Sequence, residues 1–225
     1  MTLSIVTVNL NNAAGLRRTL ESTFGAQAGF DDWEQIVVDG ASSDGSQDVF
    51  AAYRGNPHLG WCASEPDTGV FNAMNKGAAH ARGDWLLFLN SGDTLEPDVL
   101  AKVFANPIDA DIAYGDLTII KKSGPVTKRY PPPERIKVWY FLYESLPHPA
   151  AFISRRTFEK AGGYDESFRI VSDAKFFLVA FSGGARLKRL PMAVSRFGTD
   201  GISFNPKFGG LHRAERRRFL SAAFG

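Results

Sequence analysis

The sequence predicts an α/β protein with a mostly parallel central sheet, and three observations support this. Short apolar segments rich in β-branched and aromatic residues alternate with segments whose apolar residues recur at helical spacing. The order strand, turn, helix repeats from the start of the chain, as it does in right-handed βαβ units. The continuous apolar run Trp85–Leu89 is typical of a parallel strand that is buried on both faces.

The elements of the first half follow from these patterns. Strands are predicted at 3–8, 34–38, 61–64, 85–89 and 111–120. Helices are predicted between them on the apolar residues Leu16, Leu20, Phe24; Val49, Phe50, Tyr53; Val70, Phe71, Met74, Ala78; and Val99, Leu100, Val103, Phe104. Pro97 is expected to start the last of these helices, because its missing N–H has no partner at that position in any helix.

The second half is predicted to be less regular at first. A turn signal at 123–125 and three prolines at 131–133 indicate an irregular segment over 121–147, whose aromatic residues are expected to pack over the site. Strands at 149–154 and 187–197 and helices at 156–161, from 173 onward and at 211–224 are predicted after it. The expected organisation is one domain over 1–205, with halves 1–120 and 121–205, followed by a basic tail over 206–225.

Composition excludes several classes of protein. A formal net charge of +2 is too small to indicate a nucleic-acid-binding protein. The single cysteine, Cys62, excludes an internal disulfide and a cysteine cluster for zinc. The N-terminus lacks the features of a signal peptide, and no apolar run approaches the ~20 residues that cross a bilayer. We therefore expect a cytoplasmic location.

Three polar turns each follow a predicted strand, at Asn9–Asn12, Asp39–Ser46 and Asn90–Asp93. The carboxyl ends of parallel strands lie along one edge of a sheet, where ligands of such folds bind, so Asp39 and Asp93 are predicted to converge. Since no P-loop and no Gly-x-Gly-x-x-Gly pattern occurs, a divalent cation held by carboxylate is the expected clamp for a bound diphosphate. The alternative for Asp93 is a helix start at 93–97.

Five motifs occur in an order and at spacings that resemble a known family. They are Ser4–Asn9, Val38–Ser46, Ser64–Gly69, Asn72–Gly77 and Phe88–Asp93. Together they resemble the family 2 glycosyltransferases, which have the GT-A fold, with a Rossmann-like sheet flanked by helices. The resemblance covers about residues 1–200 and is strongest to bacterial enzymes of exopolysaccharide, O-antigen and colanic-acid-type synthesis.

The resemblance implies an inverting transfer of a sugar from a nucleoside diphosphate donor to a saccharide or lipid-linked acceptor in cell-surface polysaccharide synthesis. It implies that 1–120 binds the donor and 121–205 the acceptor. Asp39 corresponds to the residue that binds the nucleobase, and Asp67 to a second carboxylate that contacts the nucleotide. The donor-binding residues expected from the resemblance are Val8, Asn9, Asn11, Asp39, Ser42, Asp67, Asn72, Asn75, Lys76, Asn90, Ser91, Gly92 and Asp93.

The sequence departs from the family at its Asp-x-Asp metal motif. Asn90 and Gly92 stand where carboxylates are usual, which leaves Asp93 as the ligand expected for Mg²⁺ or Mn²⁺. His148 is a candidate second ligand, with a structural role as the alternative. Lys76 either faces phosphate or occupies a solvated helix position.

A general base is required for direct displacement, and the resemblance assigns that role to Asp173 at the start of a helix. Ser172 replaces the acidic neighbour that is usual there, and the alternative role of Asp173 is to cap its helix. Asp165 is expected in a structural turn. Arg196 and the segment 197–203, with glycines at 198 and 201, resemble the part of the family that closes over the diphosphate.

Two other functions remain open at this point. A sugar-phosphate nucleotidyltransferase would need a glycine-rich basic loop near the N-terminus, but Asn9–Leu16 has one glycine and no basic residue. A non-catalytic nucleotide-sugar-binding module is compatible with the missing carboxylates at 90 and 92. The basic tail either contacts the inner face of an anionic membrane or packs on the domain through Leu211 and Phe219.

Overall fold

The computed structural model describes residues 2–198 and 206–224. The strands are β1 Leu3–Asn9, β2 Trp33–Asp39, β3 Leu59–Ser64, β4 Trp85–Phe88, β5 Thr94–Leu95, β6 Ile112–Lys121, β7 Gly124–Lys128, β8 Ala151–Ser154 and β9 Leu187–Gly198. The α-helices are α1 Ala13–Phe24, α2 Ser46–Ala51, α3 Val70–His80, α4 Val99–Val103, α5 Arg155–Lys160, α6 Ser172–Ser182 and α7 Gly209–Phe224. Short 3₁₀ turns lie at Pro133–Arg135, Val138–Leu142, His148–Ala150 and Pro206–Phe208.

One sheet contains all of these strands, in the order β3-β2-β1-β4-β8-β6-β9-β5, and β7 pairs with β6. β3, β2, β1 and β4 are parallel to one another, as predicted for the first half of the chain. β8 runs antiparallel to both β4 and β6, while β6 and β9 are parallel. β4 thus lies between β1 and β8, which confirms the central strand expected from its apolar run.

The sheet edge is defined by where the buried strands end. Every residue of β1 and β2 is buried, because helices and loops cover both faces of the sheet. At the carboxyl end of β1 the chain turns into α1, whose first N–H groups need partners. The side chain of Asn12 accepts a hydrogen bond from Gly15 N at 3.1 Å and so caps the helix.

Two expectations about secondary structure were wrong. The segment predicted as a helix start at 93–97 contains β5, which pairs antiparallel with residues 195–196 of β9, and α4 begins only at Val99. Within the segment predicted as irregular, β6 and β7 form an antiparallel hairpin around a turn at 122–123. Trp139 and Tyr143 are 61% and 80% exposed, whereas Phe141 is buried. Packing of these aromatic residues over the site stays a prediction.

The C-terminal helix α7 packs on the domain. Phe219 is buried against the main core, and Leu211 and Leu220 contact the same core from partly buried positions. Of the two alternatives for the tail, the structure therefore shows packing on the domain through Leu211 and Phe219. None of the helices in the described ranges is long and apolar enough to cross a membrane.

Candidate active site

The three polar turns lie together at the carboxyl edge of the sheet, as predicted. Asn9 and Asp39 are partners in the β1–β2 register, and Asn9 Nδ2 donates a hydrogen bond of 2.6 Å to Asp39 Oδ1. The third turn is joined to the first because Asn12 Nδ2 donates to the backbone oxygen of Ser91 at 3.1 Å and Ser91 N donates to Val8 O at 3.1 Å. The turns that follow β1, β2 and β4 are therefore in direct contact.

Asp39 is buried and receives several hydrogen bonds from neighbouring polar groups. The backbone N–H and the hydroxyl of Ser42 donate to it at 2.9 and 2.6 Å, and Ser64 Oγ donates at 2.6 Å. Burial alone would raise the pKa of Asp39, but the hydrogen bonds from Ser42, Ser64 and Asn9 outweigh it and lower that pKa below its ordinary value. Asp39 is thus held as a carboxylate in a fixed orientation.

The carboxyl group of Asp67 lies close to Gly40, the residue that follows Asp39 in the chain. A Cβ on Gly40 would lie 2.5 Å from Asp67 Oδ2 and 3.2 Å from Leu10 Cδ1, so only glycine leaves room for this contact. Leu10 is 60% exposed beside these groups. An exposed apolar side chain beside the partly exposed carboxyl group of Asp67 suits a flat heterocycle whose ring contacts Leu10 and whose N–H groups donate to Asp67. No sequence pattern singled out Leu10, because its suitability for contact with a ligand depends on its exposure at the sheet edge.

Four more of the expected donor-binding residues lie at the sheet edge and contact it through backbone groups or hydrogen bonds: Val8, Asn11, Ser42 and Gly92. Asn11 N donates to Ser42 Oγ at 2.7 Å, and Gly92 N donates to Thr19 Oγ1 at 2.9 Å. The side chain of Val8 is buried in the core, so this residue meets the edge only through its backbone. Donor contacts by these residues remain predictions.

The expected donor-binding residues of α3 face other protein groups. Asn75 Nδ2 donates to Tyr164 O at 2.8 Å, and its Oδ1 accepts from Tyr164 N at 2.9 Å. Asn72 Nδ2 donates to Glu166 Oε2 at 2.8 Å. Lys76 Nζ donates to the backbone oxygen of Pro66 at 2.9 Å and forms an ion pair of 2.8 Å with the neighbouring Glu65. These contacts favour a role in joining the Asp67 loop to the turn at 164–166, a link that the sequence did not indicate.

Asp93 is only 6% exposed, and its burial raises its pKa to about 8. A hydrogen bond from the backbone N–H of Gly198 lowers this pKa but does not offset the effect of burial. Nearby in the same turn, Asn90 Oδ1 is buried and finds no hydrogen-bond partner among the described residues. A buried carboxyl group and an unpartnered amide oxygen are hard oxygen donors of the kind that Mg²⁺ and Mn²⁺ take, with phosphate oxygens and water as further ligands. Within residues 2–198 and 206–224, however, no three His, Cys, Asp or Glu side chains form a metal site.

His148 lies in a buried aromatic cluster. Its Nε2 is 2.8 Å from the hydroxyl oxygen of Tyr164, and its ring stacks on Phe88 of β4 at 5.6 Å. Burial lowers the pKa of His148, and the negative charge of Asp173 opposes that effect. These contacts favour the structural alternative for His148, and its role as a metal ligand remains an untested prediction.

Asp173 lies in the first turn of α6 and is partly exposed. The N-cap of this helix is Val171, and no side chain forms a capping hydrogen bond there. The alternative role of Asp173 as the N-cap is therefore wrong. Its charge acts on the pKa of both His148 and Tyr164, so Asp173 is placed beside the cluster that covers the end of β4.

Arg196, expected near the diphosphate, forms an ion pair with Glu96. Its Nε and Nη2 lie 3.0 and 2.9 Å from Glu96 Oε2. Residues 199–203 of the expected closing segment lie outside the described residues, whereas Phe197 and Gly198 end β9. The closing role of this segment remains a prediction.

Comparison with known proteins gives the family. Residues 4–176 match the family described as Glycosyl transferase family 2, and the chain belongs to that family. It is 36% identical over 186 residues to the glycosyltransferase Rv1514c of Mycobacterium tuberculosis, covering 80% of this chain and 68% of that protein. It is 34% identical over 215 residues to the PGL/p-HBAD biosynthesis glycosyltransferase Rv2957 of the same species, covering 92% and 78%.

Solved structures agree with the fold. TarS of S. aureus in complex with UDP-GlcNAc superposes with a TM-score of 0.74 at 18% identity over 91% of this chain. The mannosyltransferase PcManGT of Pyrobaculum calidifontis, in complex with GDP-Man and Mn²⁺, superposes with a TM-score of 0.64 at 20% identity over 96%. The chain spans 60% of the length of each of these two structures. The fold is GT-A, as the motif resemblance implied.

Proposed function

We propose that this protein is an inverting glycosyltransferase that uses a nucleoside diphosphate sugar. The observation that carries the proposal is the meeting of Asp39, Asp67 and the exposed Leu10 at the carboxyl edge of the parallel strands. This arrangement lies in the same edge as the Asn90–Asp93 turn, which Asn12 joins to it. Relatives named as glycosyltransferases and structural neighbours solved with UDP-GlcNAc and GDP-Man support the same class of donor.

The nucleobase would lie against Leu10, with Asp39 and Asp67 accepting hydrogen bonds from its N–H groups or from the ribose hydroxyls. Asp39 is oriented before ligand binds, which reduces the entropy cost of binding. The diphosphate would then reach the turn at 90–93. Asp93, with Asn90, would hold a Mg²⁺ or Mn²⁺ ion that neutralises the negative charge developing on the leaving nucleoside diphosphate.

Asp173 would act as the general base. Its carboxylate accepts the proton of the acceptor hydroxyl while that oxygen forms a bond to the anomeric carbon. The bond from this carbon to the diphosphate oxygen breaks, and its electron pair leaves with the nucleoside diphosphate. Attack on the face opposite the leaving group inverts the anomeric centre. The protein contributes alignment of the two substrates and proton removal.

The acceptor would be a saccharide or a lipid-linked sugar of cell-surface polysaccharide synthesis. The curated relatives include the succinoglycan biosynthesis protein ExoO of Rhizobium meliloti, 32% identical over 124 residues, 54% of this chain and 35% of ExoO. We further propose that any contact with the inner face of a membrane runs through the exposed Arg213 and Arg217, because the apolar side of α7 faces the domain. Binding to anionic vesicles that salt abolishes, and that the double variant Arg213→Ala/Arg217→Ala loses, would test this part.

The deciding experiment for the donor is calorimetric titration of UDP, GDP and dTDP, each with and without Mn²⁺. We expect one nucleotide to bind in a metal-dependent way, and the matching sugar donor to be hydrolysed slowly when no acceptor is present. Binding without donor hydrolysis or transfer would instead indicate a nucleotide-sugar-binding module. Binding of none of the three would contradict the proposed site.

A further inference from the structure

The loop that leads into α6 is fixed by a buried carboxylate from the other end of the chain. Glu215 of α7 is 6% exposed, and its Oε1 and Oε2 accept hydrogen bonds from the backbone N–H groups of Arg169 and Ile170 at 2.8 and 2.9 Å. These two N–H groups lie just ahead of Asp173 in the chain. Hydrogen bonds to an ionised acceptor are stronger than neutral ones, so this contact fixes the loop.

A second residue of α7 holds the same loop one turn further along the helix. Arg218 Nη2 donates to both the backbone oxygen and the hydroxyl of Ser167 at 2.9 Å. Its guanidinium lies 3.8 Å from the ring centre of Phe168, a cation–π contact, and Phe168 packs edge-on against the buried Phe219. Three consecutive parts of the loop are therefore bound by α7.

The helix also contacts the 3₁₀ turn at Val138–Leu142. Arg216 Nη2 donates to Phe141 O at 2.9 Å, and its Nε donates to Leu142 O at 3.3 Å. Burial lowers the pKa of Arg216, and the negative charges of Glu144 and Asp173 act in the opposite direction. Arg216 therefore lies within electrostatic reach of Asp173 while it holds the end of the 138–142 turn.

We propose that α7 is a positioning element for the general base, and that Glu215 is the residue through which it acts. Glu215 fixes the backbone at 169–170, and this sets the point at which α6 starts and hence where the Asp173 carboxylate lies relative to the acceptor hydroxyl. Small displacements of a reacting group cost large factors in rate, because the reactive geometry is narrow. This inference rests on the proposed function of Asp173.

The inference accounts for the basic, amphipathic character of the tail. Its glutamate, two of its arginines and its buried phenylalanine are used in contacts with the domain, and these contacts converge on 167–170 and 141–144. A helix whose only role was to cover the core would need Phe219 and its apolar neighbours, but not a buried carboxylate directed at two backbone N–H groups.

The test is the variant Glu215→Gln, which keeps the size of the side chain but replaces one of its two acceptor oxygens with a donor. We expect kcat to fall about tenfold while nucleotide Kd and donor KM stay unchanged. Hydrogen exchange of the amides at 169–170 should become faster in the same variant. The exposed Glu159→Gln serves as the matched control and should leave all of these values at wild-type level.

A double variant distinguishes positioning from general support of the fold. If Glu215 acts through Asp173, adding Glu215→Gln to Asp173→Asn should not lower the residual transfer further. The inference is overturned if Glu215→Gln has wild-type kcat or if it lowers kcat and donor affinity together. It is also overturned if adding Glu215→Gln to Asp173→Asn lowers the residual transfer activity by a further tenfold. Should Glu215→Gln fail to fold, Glu215→Asp, which keeps the carboxylate but draws it back by one methylene group from the N–H groups at 169–170, is held to the same criteria.

The proposed function can fail separately from this inference. Wild-type protein that transfers no sugar, or Asp173→Asn with wild-type turnover, overturns the proposed function and the positioning role with it. An inactive Asp173→Asn beside a fully active Glu215→Gln overturns only the positioning role.

Discussion

Asn9 Nδ2 lies 2.6 Å from Asp39 Oδ1, and this hydrogen bond joins the carboxyl ends of the first two strands. The same amide nitrogen also donates to Ser46 Oγ at 2.8 Å, at the start of α2. One asparagine thus ties Asp39 to the turn that follows it. The carboxylate is oriented by the protein before any nucleotide binds.

Asp39→Asn should weaken nucleotide binding by about 10- to 100-fold. A buried amide would place a donor against groups of the protein that already donate, at a cost of about 1–3 kcal/mol. The turn after β2 would shift to relieve this, and the shift would displace Asp67 and Leu10 from the positions proposed for nucleotide binding. Calorimetry with the nucleotide that wild type binds measures this. Asp48→Asn, an exposed carboxylate on the neighbouring α2, is the control and should bind as wild type does. Equal affinity in Asp39→Asn would remove Asp39 from the nucleotide site.

Gly40→Ala should weaken nucleotide binding about tenfold while most of the fold's stability is kept. The added methyl group would lie 2.5 Å from Asp67 Oδ2, and Asp67 would have to move away from Asp39 and Leu10. Gly210→Ala is a suitable control, since no atom lies within 4 Å of its added Cβ. If both variants bind equally well, the contact between Gly40 and Asp67 does not matter for the ligand.

The stability of the metal-free protein should fall between about pH 4 and pH 8 through Asp93. Its pKa is about 8 in the folded state and 3.8 as an ordinary value, so in this window the folded state binds a proton that the unfolded state has lost. Unfolding free energy therefore decreases as pH rises, by at most about 1.4 kcal/mol per pH unit.

Chemical unfolding in EDTA, of wild type and of Asp93→Asn from pH 5 to pH 8, isolates this contribution. The variant cannot ionise at this position, so its stability relative to wild type should increase with pH. Mn²⁺ should stabilise wild type at pH 8 and leave the variant unchanged, because a bound cation favours the carboxylate. Parallel stability curves for the two proteins would show that Asp93 does not titrate in this range.

The sequence was sufficient for the parallel half of the sheet, because β1, β2 and β4 are mostly buried and each parallel strand, including the only partly buried β3, ends in a polar turn. It was not sufficient for β5. Residues 93–97 carry a local helix-start pattern, but the partner of Thr94 is Arg196 in β9, about a hundred residues away, and pairing of that kind leaves no local signal. Tertiary pairing overrode the local preference at this point.

The candidate site could also be predicted only in part from the sequence. Asp39, Asp67 and Asp93 follow strands, so their position at one edge could be inferred from topology. Glu166 and Glu215 could not be inferred, because each acts on groups distant in sequence: Glu166 on Asn72 and Asn75, and Glu215 on the backbone at 169–170. A glutamate in an exposed-looking turn or a basic helix gives no pattern that distinguishes such contacts from solvation.

Asp173→Asn should reduce glycosyl transfer by ~10²-fold or more, because the amide cannot accept the proton of the acceptor hydroxyl. Donor affinity should be unchanged, since Asp173 lies at the start of α6 and the nucleotide is expected at the ends of β1 and β2. Steady-state transfer kinetics together with nucleotide titration separate the two effects. Asp109→Asn, which loses only an exposed ion pair with Arg186, is the control and should transfer sugar at the wild-type rate. Wild-type turnover in Asp173→Asn would leave the helix start without a chemical role and would require the base to come from another residue near His148.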